Sequence, residues 1–195
     1  MTGRLSVVGP LTVLKVGGGL SATPGALDAV GAAVAALGRR HRLLIVPGGG
    51  PFADTVRVVA ARDRLSADAA HWMAILAMDQ YAHTLAERIP GAVLVEEPGG
   101  VGAVLGAAGV AVLAPYRWLR AADVLPHTWD ATSDSVAAFV AGALDAGQLV
   151  LVKPAAGGGE LLDPCFTAVI PAAMPWCVLG WEEIGKLEEV LRRSS

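Results

Sequence analysis

Twice in the first third of this chain an apolar run stops at a glycine cluster and gives way to a stretch with helical spacing. Leu11 to Val16 ends in Gly17-Gly18-Gly19 ahead of Pro24 to Arg40, and Leu43 to Val46 ends in Pro47-Gly48-Gly49-Gly50 ahead of Pro51 to Arg62. Short apolar runs bounded by turn residues read as buried strands, whereas the Ala, Val and Leu spacing of the longer stretches gives a helix one apolar face. Strands buried on both faces and joined through helices form a parallel sheet, because parallel neighbours need a crossover between them. The alternation continues with a helix over Ser66 to Arg88 capped by Ser66, and with strands at Ala92 to Val95 and Val110 to Leu113. A helix over Thr132 to Ala146, a strand at Leu149 to Val152 and a closing amphipathic helix over Glu182 to Arg193 follow. The expected class is α/β with a central, mostly parallel sheet. At 195 residues and with no linker-like change in composition, one domain over residues 1–195 is expected.

Charge and hydropathy exclude other classes. A net charge of -3 supplies no basic field for nucleic acid. The mean hydropathy of +0.54 is high, but the two uncharged stretches, Pro98 to Tyr116 and Pro164 to Trp181, are interrupted by glycine and proline. Neither reads as a membrane-spanning helix, and buried parallel strands explain such runs equally well. With no signal-like apolar core before Gly9-Pro10, a cytoplasmic protein is expected, with Cys165 and Cys177 as small core residues.

Lysine is scarce: three lysines, Lys15, Lys153 and Lys186, stand against twelve arginines. Two of the three end apolar strands beside glycines, in V-L-K-V-G-G-G and L-V-L-V-K-P-A-A-G-G-G. A compact ammonium beside backbone that can be approached closely suits polyphosphate, so Lys15 and Lys153 with Gly17, Gly18, Gly157 and Gly158 are candidate phosphate ligands. The glycine spacings match neither the Walker loop nor the dinucleotide fingerprint. A polar cluster, Trp129 to Ser135, opens the helix that follows. Thr132, Ser133 or Asp134 can cap it, Asp134 can instead hold the two lysines by ion pairing, and the helix N-terminus can itself face an anion.

Lys15-Val16-Gly17-Gly18, Val46-Pro47-Gly48-Gly49-Gly50-Pro51, Thr132-Ser133-Asp134-Ser135 and the Lys153 strand, in that order, resemble the amino acid kinase family over nearly the whole chain. The resemblance implies a three-layer αβα sandwich with the phosphoryl acceptor on the N-terminal half and ATP with Mg2+ on the C-terminal half. It gives Lys15 the transferring phosphoryl group, Asp134 the orientation of the lysines, and Lys153 the ATP phosphates. Gly17, Gly18 and Ser133 would bind phosphoryl groups, and Gly48, Gly49 and Gly50 the acceptor. No protein metal ligands are implied. The Leu65 to Met78 and Pro126 to Ala138 runs look like a small archaeal-type branch whose acceptors include an aminomethyl-furanmethanol phosphate of methanofuran biosynthesis, a one-carbon cofactor pathway.

A phosphorylated acceptor needs further positive charge, for which Arg57 and His71 are the candidates, ahead of Arg62 and Arg64. Trp118, Trp129, Trp176 and Trp181 read as core or subunit-contact residues, and the apolar content of so short a chain suggests a homo-oligomer. Two readings compete with an ATP-dependent small-molecule kinase. One is a kinase that forms an acyl phosphate on a carboxylate. The other is a non-catalytic protein of the same fold that binds a nucleotide, another anionic ligand or a partner protein. Its motive is the segment Pro154-Ala155-Ala156-Gly157-Gly158-Gly159-Glu160, which stands where the family has an acidic loop.

Overall fold

The computed structural model describes residues 9–107, 109–157 and 159–193. Six strands, β1 (Leu11–Val16), β2 (Arg42–Pro47), β3 (Ala92–Val95), β4 (Val110–Leu113), β5 (Gln148–Lys153) and β6 (Trp176–Gly180), form one sheet in the order β3-β4-β2-β1-β5-β6. Every pairing is parallel. The helices are α1 (Ala26–Gly38), α2 (Gly50–Asp63), α3 (Ala67–Arg88), α4 (Pro98–Gly106), α5 (Tyr116–Ala122), α6 (Ser133–Ala143), α7 (Phe166–Val169) and α8 (Leu187–Arg193). The expected α/β sandwich is therefore present, with helices on both faces of a parallel sheet.

The two faces separate by strand periodicity. Along β1, Leu11 and Val13 join one core cluster while Leu14 and Val16 join the other, and β5 divides in the same way into Leu149 and Leu151 against Val150 and Val152. The first cluster is closed by Val101 and Leu105 of α4, Leu119 of α5, Phe166 of α7 and the small, fully packed face of α6. The second is closed by Val30, Val34 and Leu37 of α1 and by Leu187 and Leu191 of α8. At 22 residues, α3 is long enough to serve both, with Ile75 and Met78 in the first and Tyr81 and Leu85 in the second.

Several expected elements change on folding. The Pro98 to Tyr116 run holds a glycine-rich helix as well as a strand, because Val101 and Leu105 lie four residues apart and both bury against the sheet. The Pro164 to Trp181 run contains α7 and the edge strand β6, which sequence reading missed. The closing helix is shorter than expected, since Trp181–Lys186 winds as a 3-10 segment before α8. Ser66 does cap α3, its hydroxyl accepting from the Ala69 N–H at 3.2 Å.

Glycine is obligatory where the loops after β1 and β2 meet. A Cβ at Gly18 would stand 2.3 Å from the Gly50 nitrogen, and one at Gly48 would stand 2.3 Å from the Gly18 nitrogen. The two clusters exist in part for each other: they let two backbones touch above the carboxyl ends of adjacent strands. Among the described residues no helix is long and apolar enough to cross a membrane.

Candidate active site

Lys15 occupies the same side of β1 as Leu11 and Val13, and Lys153 the same side of β5 as Leu149 and Leu151, by the two-residue period of a strand. In register, Lys15 faces Leu151, two residues short of Lys153, so both side chains rise from the carboxyl ends of neighbouring strands toward α6. From β1 the chain crosses through α1 to one side, and from β5 through α7 to the other. The gap between β1 and β5 is thus the switch point at which open parallel sheets bind ligands.

Asp134, the second residue of α6, lies in that gap and takes one lysine on each oxygen. Lys15 Nζ is 2.8 Å from Oδ1 and Lys153 Nζ is 2.7 Å from Oδ2. Lys15 and Asp134 are only 4% and 3% exposed. Burial pushes the Lys15 ammonium below the usual lysine range, opposed mainly by Asp134. Burial alone would raise the Asp134 carboxyl, but the two ammonium groups outweigh it and hold it below its ordinary value. The array carries one net positive charge in a low-dielectric setting, where it acts strongly on an anion. Lys153 Nζ also donates to the Leu161 carbonyl at 2.5 Å.

A cavity of about 490 Å³ lies next to this array, reached by Gly18, Thr132 and Ser133; Lys15, Asp134 and Lys153 themselves do not line it. Gly18 and Gly19 of the first loop, Gly49 and Gly50 of the second, and Thr132 and Ser133 at the start of α6 form one end. Alanines of α2 and α3, among them Ala53, Ala60, Ala70 and Ala74, form a smooth apolar wall. Arg57, His71, His127 and Trp129 supply its polar and aromatic surface.

The expected site residues are distributed unevenly around this cavity. Gly18, Gly49, Gly50, Ser133, Arg57 and His71 all line it. Gly17 stands beside the lysine, where an added Cβ would be 3.8 Å from Lys15 Nζ. The N–H groups of Gly17 and Gly48 are committed to sheet bonds, to Val152 O and Val16 O at 2.8 Å each, so neither is a free phosphate donor. Gly157 lies in the exposed loop after β5, away from the cavity lining, and Gly158 lies outside the described residues. Arg62 is turned to solvent in a pair with Asp63.

Arg57 is not a bare cation. It bonds Asp54 at 2.7 Å and lies 4.9 Å over the ring of Trp129. Trp129 is therefore a wall of the cavity, 42% exposed, and not a core residue. Trp118 does join the core, against Phe139.

Two functional-looking residues, His127 and Asp163, escaped sequence reading. His127 bridges Asp68 through Nδ1 and Asp123 through Nε2, and both contacts raise its pKa. Since each partner is a carboxylate, the doubly protonated ring satisfies both. His71 stacks on it at 4.1 Å, and burial together with the charge of His127 holds His71 below the ordinary histidine value. Asp163 is the second. Its carboxylate accepts from the N–H groups of Thr132 and Ser135 and from both their hydroxyls. The α6 N-terminus, expected to be capped locally or to face a bound anion, is thus occupied by a carboxylate from 28 residues downstream. Among the described residues no group of three or more His, Cys, Asp or Glu is placed to hold a metal ion.

The fold is thus a parallel α/β sandwich with a lysine–aspartate–lysine array at its switch point, next to a glycine-walled cavity. The profile of the amino acid kinase family matches residues 10–157, most of the chain, and the protein belongs to that family. In sequence it is 28% identical, over 128 residues, to the (5-(aminomethyl)furan-3-yl)methyl phosphate kinase of Methanocaldococcus jannaschii. That match spans 63% of this chain and 59% of the relative. In structure it is similar to uridylate kinase from Archaeoglobus fulgidus, with a TM-score of 0.72 at 14% identity over 93% of this chain and 95% of that one. UMP kinase from Ureaplasma parvum gives a TM-score of 0.68 at 12% identity, covering 96% and 97%. Aspartate kinase from Synechocystis gives 0.70 at 15% identity over 88% of this chain and 38% of that one.

Proposed function

We propose that the protein is an ATP-dependent phosphotransferase that passes a phosphoryl group to a small, already phosphorylated acceptor held in the alanine-lined cavity. The observation that carries this reading is the buried Lys15–Asp134–Lys153 array at the strand ends beside a cavity of about 490 Å³. Phosphoryl transfer asks a protein chiefly for positioning and for neutralisation of charge on the equatorial oxygens. Lys15 supplies that charge and Lys153 reinforces it. Asp134 keeps both ammonium groups fixed, so that little reorganisation is needed when the anion arrives.

The acceptor's phosphate is placed at the glycine end, by Gly18, Gly49, Gly50 and the N-terminus of the 14-residue helix α2. Such an acceptor is already ionised at neutral pH, so no general base is required. Trp129, the alanine wall and His71 suit a small ring-bearing body, and the aminomethyl-furan phosphate named for the archaeal relative is the acceptor we favour. A diphosphate product would place the reaction in methanofuran and one-carbon cofactor synthesis. ATP would supply the phosphoryl group, and Mg2+, where needed, would enter with the nucleotide and not on protein ligands. The two acids at the array fit that arrangement, because both oxygens of Asp134 and of Asp163 already have protein partners. We place the reaction in a single domain, working in the cytoplasm as a homo-oligomer.

A binding protein without turnover is the second reading, favoured by the Lys153 ammonium being spent on Asp134 and the Leu161 carbonyl. Calorimetric titration with Mg-ATP and a non-hydrolysable analogue tests the donor site. Binding that weakens in Lys153→Ala supports a donor site at the array, and transfer to a phosphate monoester then separates the kinase from the binder. No heat with either nucleotide in the wild type would remove it.

A further inference from the structure

Helix α6 carries the residue on which the lysine array depends, and its own N-terminal turn is not held locally. Thr132 stands at the cap position without a side-chain bond to the first free N–H groups, and instead gives its hydroxyl away. Four donors from two residues of the turn converge on Asp163. Oδ2 accepts from Thr132 N at 2.8 Å, Thr132 Oγ1 at 2.8 Å and Ser135 N at 3.0 Å, while Oδ1 accepts from Ser135 Oγ at 2.5 Å. Asp134 lies between the two bonded residues, and Ser135 beside it is fully buried. The segment that carries Asp163 is tied down on either side. Lys153 Nζ bonds Leu161 O, the Cys165 N–H bonds Asp130 O at 3.1 Å, and the Phe166 N–H bonds Asp163 O at 3.1 Å.

A closed circuit results: Asp134 to Lys153, Lys153 to Leu161, Leu161 through the chain to Asp163, and Asp163 back to the turn that holds Asp134. A carboxylate at the N-terminus of an 11-residue helix is stabilised by charge-assisted bonds and by the aligned peptide dipoles. This one is worth more as a fixture than as a cap. If the turn rotates, Asp134 swings, and two buried ammonium groups lose their common partner. We propose that Asp163 is the positioning residue of the lysine–aspartate–lysine array, setting the place of both ammonium groups through the first turn of α6 without touching either. Its catalytic consequence rests on the phosphotransferase reading. The geometry itself does not.

Because the chain contains only three lysines, their side-chain ammonium signals can be read individually by NMR on isotope-labelled protein. Lys186, exposed and paired with Glu183, is the internal reference. Three proteins are compared by alkaline titration: wild type, Asp163→Asn, and the double variant Thr132→Val/Ser135→Ala. The last deletes two hydroxyl donors of the clamp and alters no charge. The expected result is that both variants move the Lys15 transition to lower pH and shift or broaden the Lys153 signal, with Lys186 unmoved. Lowered Lys15 titration is the expected sign because the ammonium keeps its burial while its hold on Asp134 loosens.

A shift in Asp163→Asn with none in the double variant would mean that Asp163 acts only as a charge at a distance, and would overturn the proposal. Unchanged lysine signals in both variants would do the same. Circular dichroism confirms the fold of each protein, and Ser135→Ala alone replaces the double variant if that fails to fold. No nucleotide or acceptor enters the measurement. A chain that transfers no phosphoryl group but shows these shifts would refute the kinase reading and keep the positioning role.

Discussion

Replacing Asp134 by alanine removes the shared partner of two ammonium groups, one of them 95% buried at its side chain and the other 87%. Breaking a buried ion pair from one side costs about 3–5 kcal/mol, because a charge is left desolvated without compensation. Here two charges of the same sign would also face each other. The cost has a ceiling, since Lys15, already lowered by burial, loses the contribution that most raises it and can release its proton. We therefore expect Asp134→Ala to destabilise by about 3 kcal/mol near neutral pH, the lower end of that range. The loss should vary with pH in both directions. The wild-type Asp134 carboxyl is held below its ordinary value, so the stability it contributes is complete above about 3.8 and is lost as pH falls through the depressed folded value. In the variant Lys15 titrates further below its unfolded value, the unfolded chain binds more protons, and the variant regains stability as pH rises. Urea unfolding of both proteins across pH should give a difference that is largest near neutrality and shrinks toward acid and toward alkali. A difference below about 1 kcal/mol, the value of an exposed pair, or one independent of pH, would refute the reasoning.

Other consequences follow from the cavity and its walls. His127→Gln should remove a pH dependence: the raised pKa of His127 contributes stability that is present below its ordinary value of 6.5 and lost as pH rises through the folded value. Histidine NMR of the wild type should show one ring titrating above the ordinary value and His71 below it, and melting curves should lose that acid-side gain in the variant. Ala74→Leu projects bulk from α3 into the cavity and should raise the acceptor KM about tenfold or more, some 1.4 kcal/mol, with the melting temperature unchanged. An unaltered KM would place the acceptor elsewhere. Gly48→Ala puts a methyl group 2.3 Å from the Gly18 nitrogen and should cost about 1–3 kcal/mol in chemical unfolding, as overpacking does.

What the sequence discloses here is whatever depends on neighbours along the chain. Strands β1, β2 and β5 announce themselves as apolar runs with turn residues beyond, and strand alternation then delivers Lys15 and Lys153 to one side of the sheet. The pairing of Asp134 with the lysines was legible because only three lysines exist to be paired and two of them end strands. Features made by distant partners were not legible. Local residues were expected to cap α6, yet Asp163 does so from 28 residues away. In the same way Asp79 of α3 takes the first N–H of α5 at 2.9 Å, its own carboxyl raised to about 6 by burial. His127 lies in sequence two residues ahead of the polar cluster, and only the packing of α3 against α5 brings Asp68 and Asp123 to its two nitrogens. Strand β6 is half-buried at the sheet edge and sits among prolines, so it lacks the full apolar run by which the inner strands were found.

The most direct test of the account is phosphorus NMR of Mg-ATP incubated with the aminomethyl-furan phosphate and either wild-type protein or Lys15→Ala. The account predicts ADP and a new diphosphate with the wild type. With Lys15→Ala it predicts turnover lower by a factor of about 100 to 1,000, the loss seen when one charge-stabilising group is removed from a transition state. Equal turnover by the two proteins would contradict the role given to the lysine array. Binding of Mg-ATP by the wild type with no transfer to this or any other phosphate monoester would contradict the kinase itself.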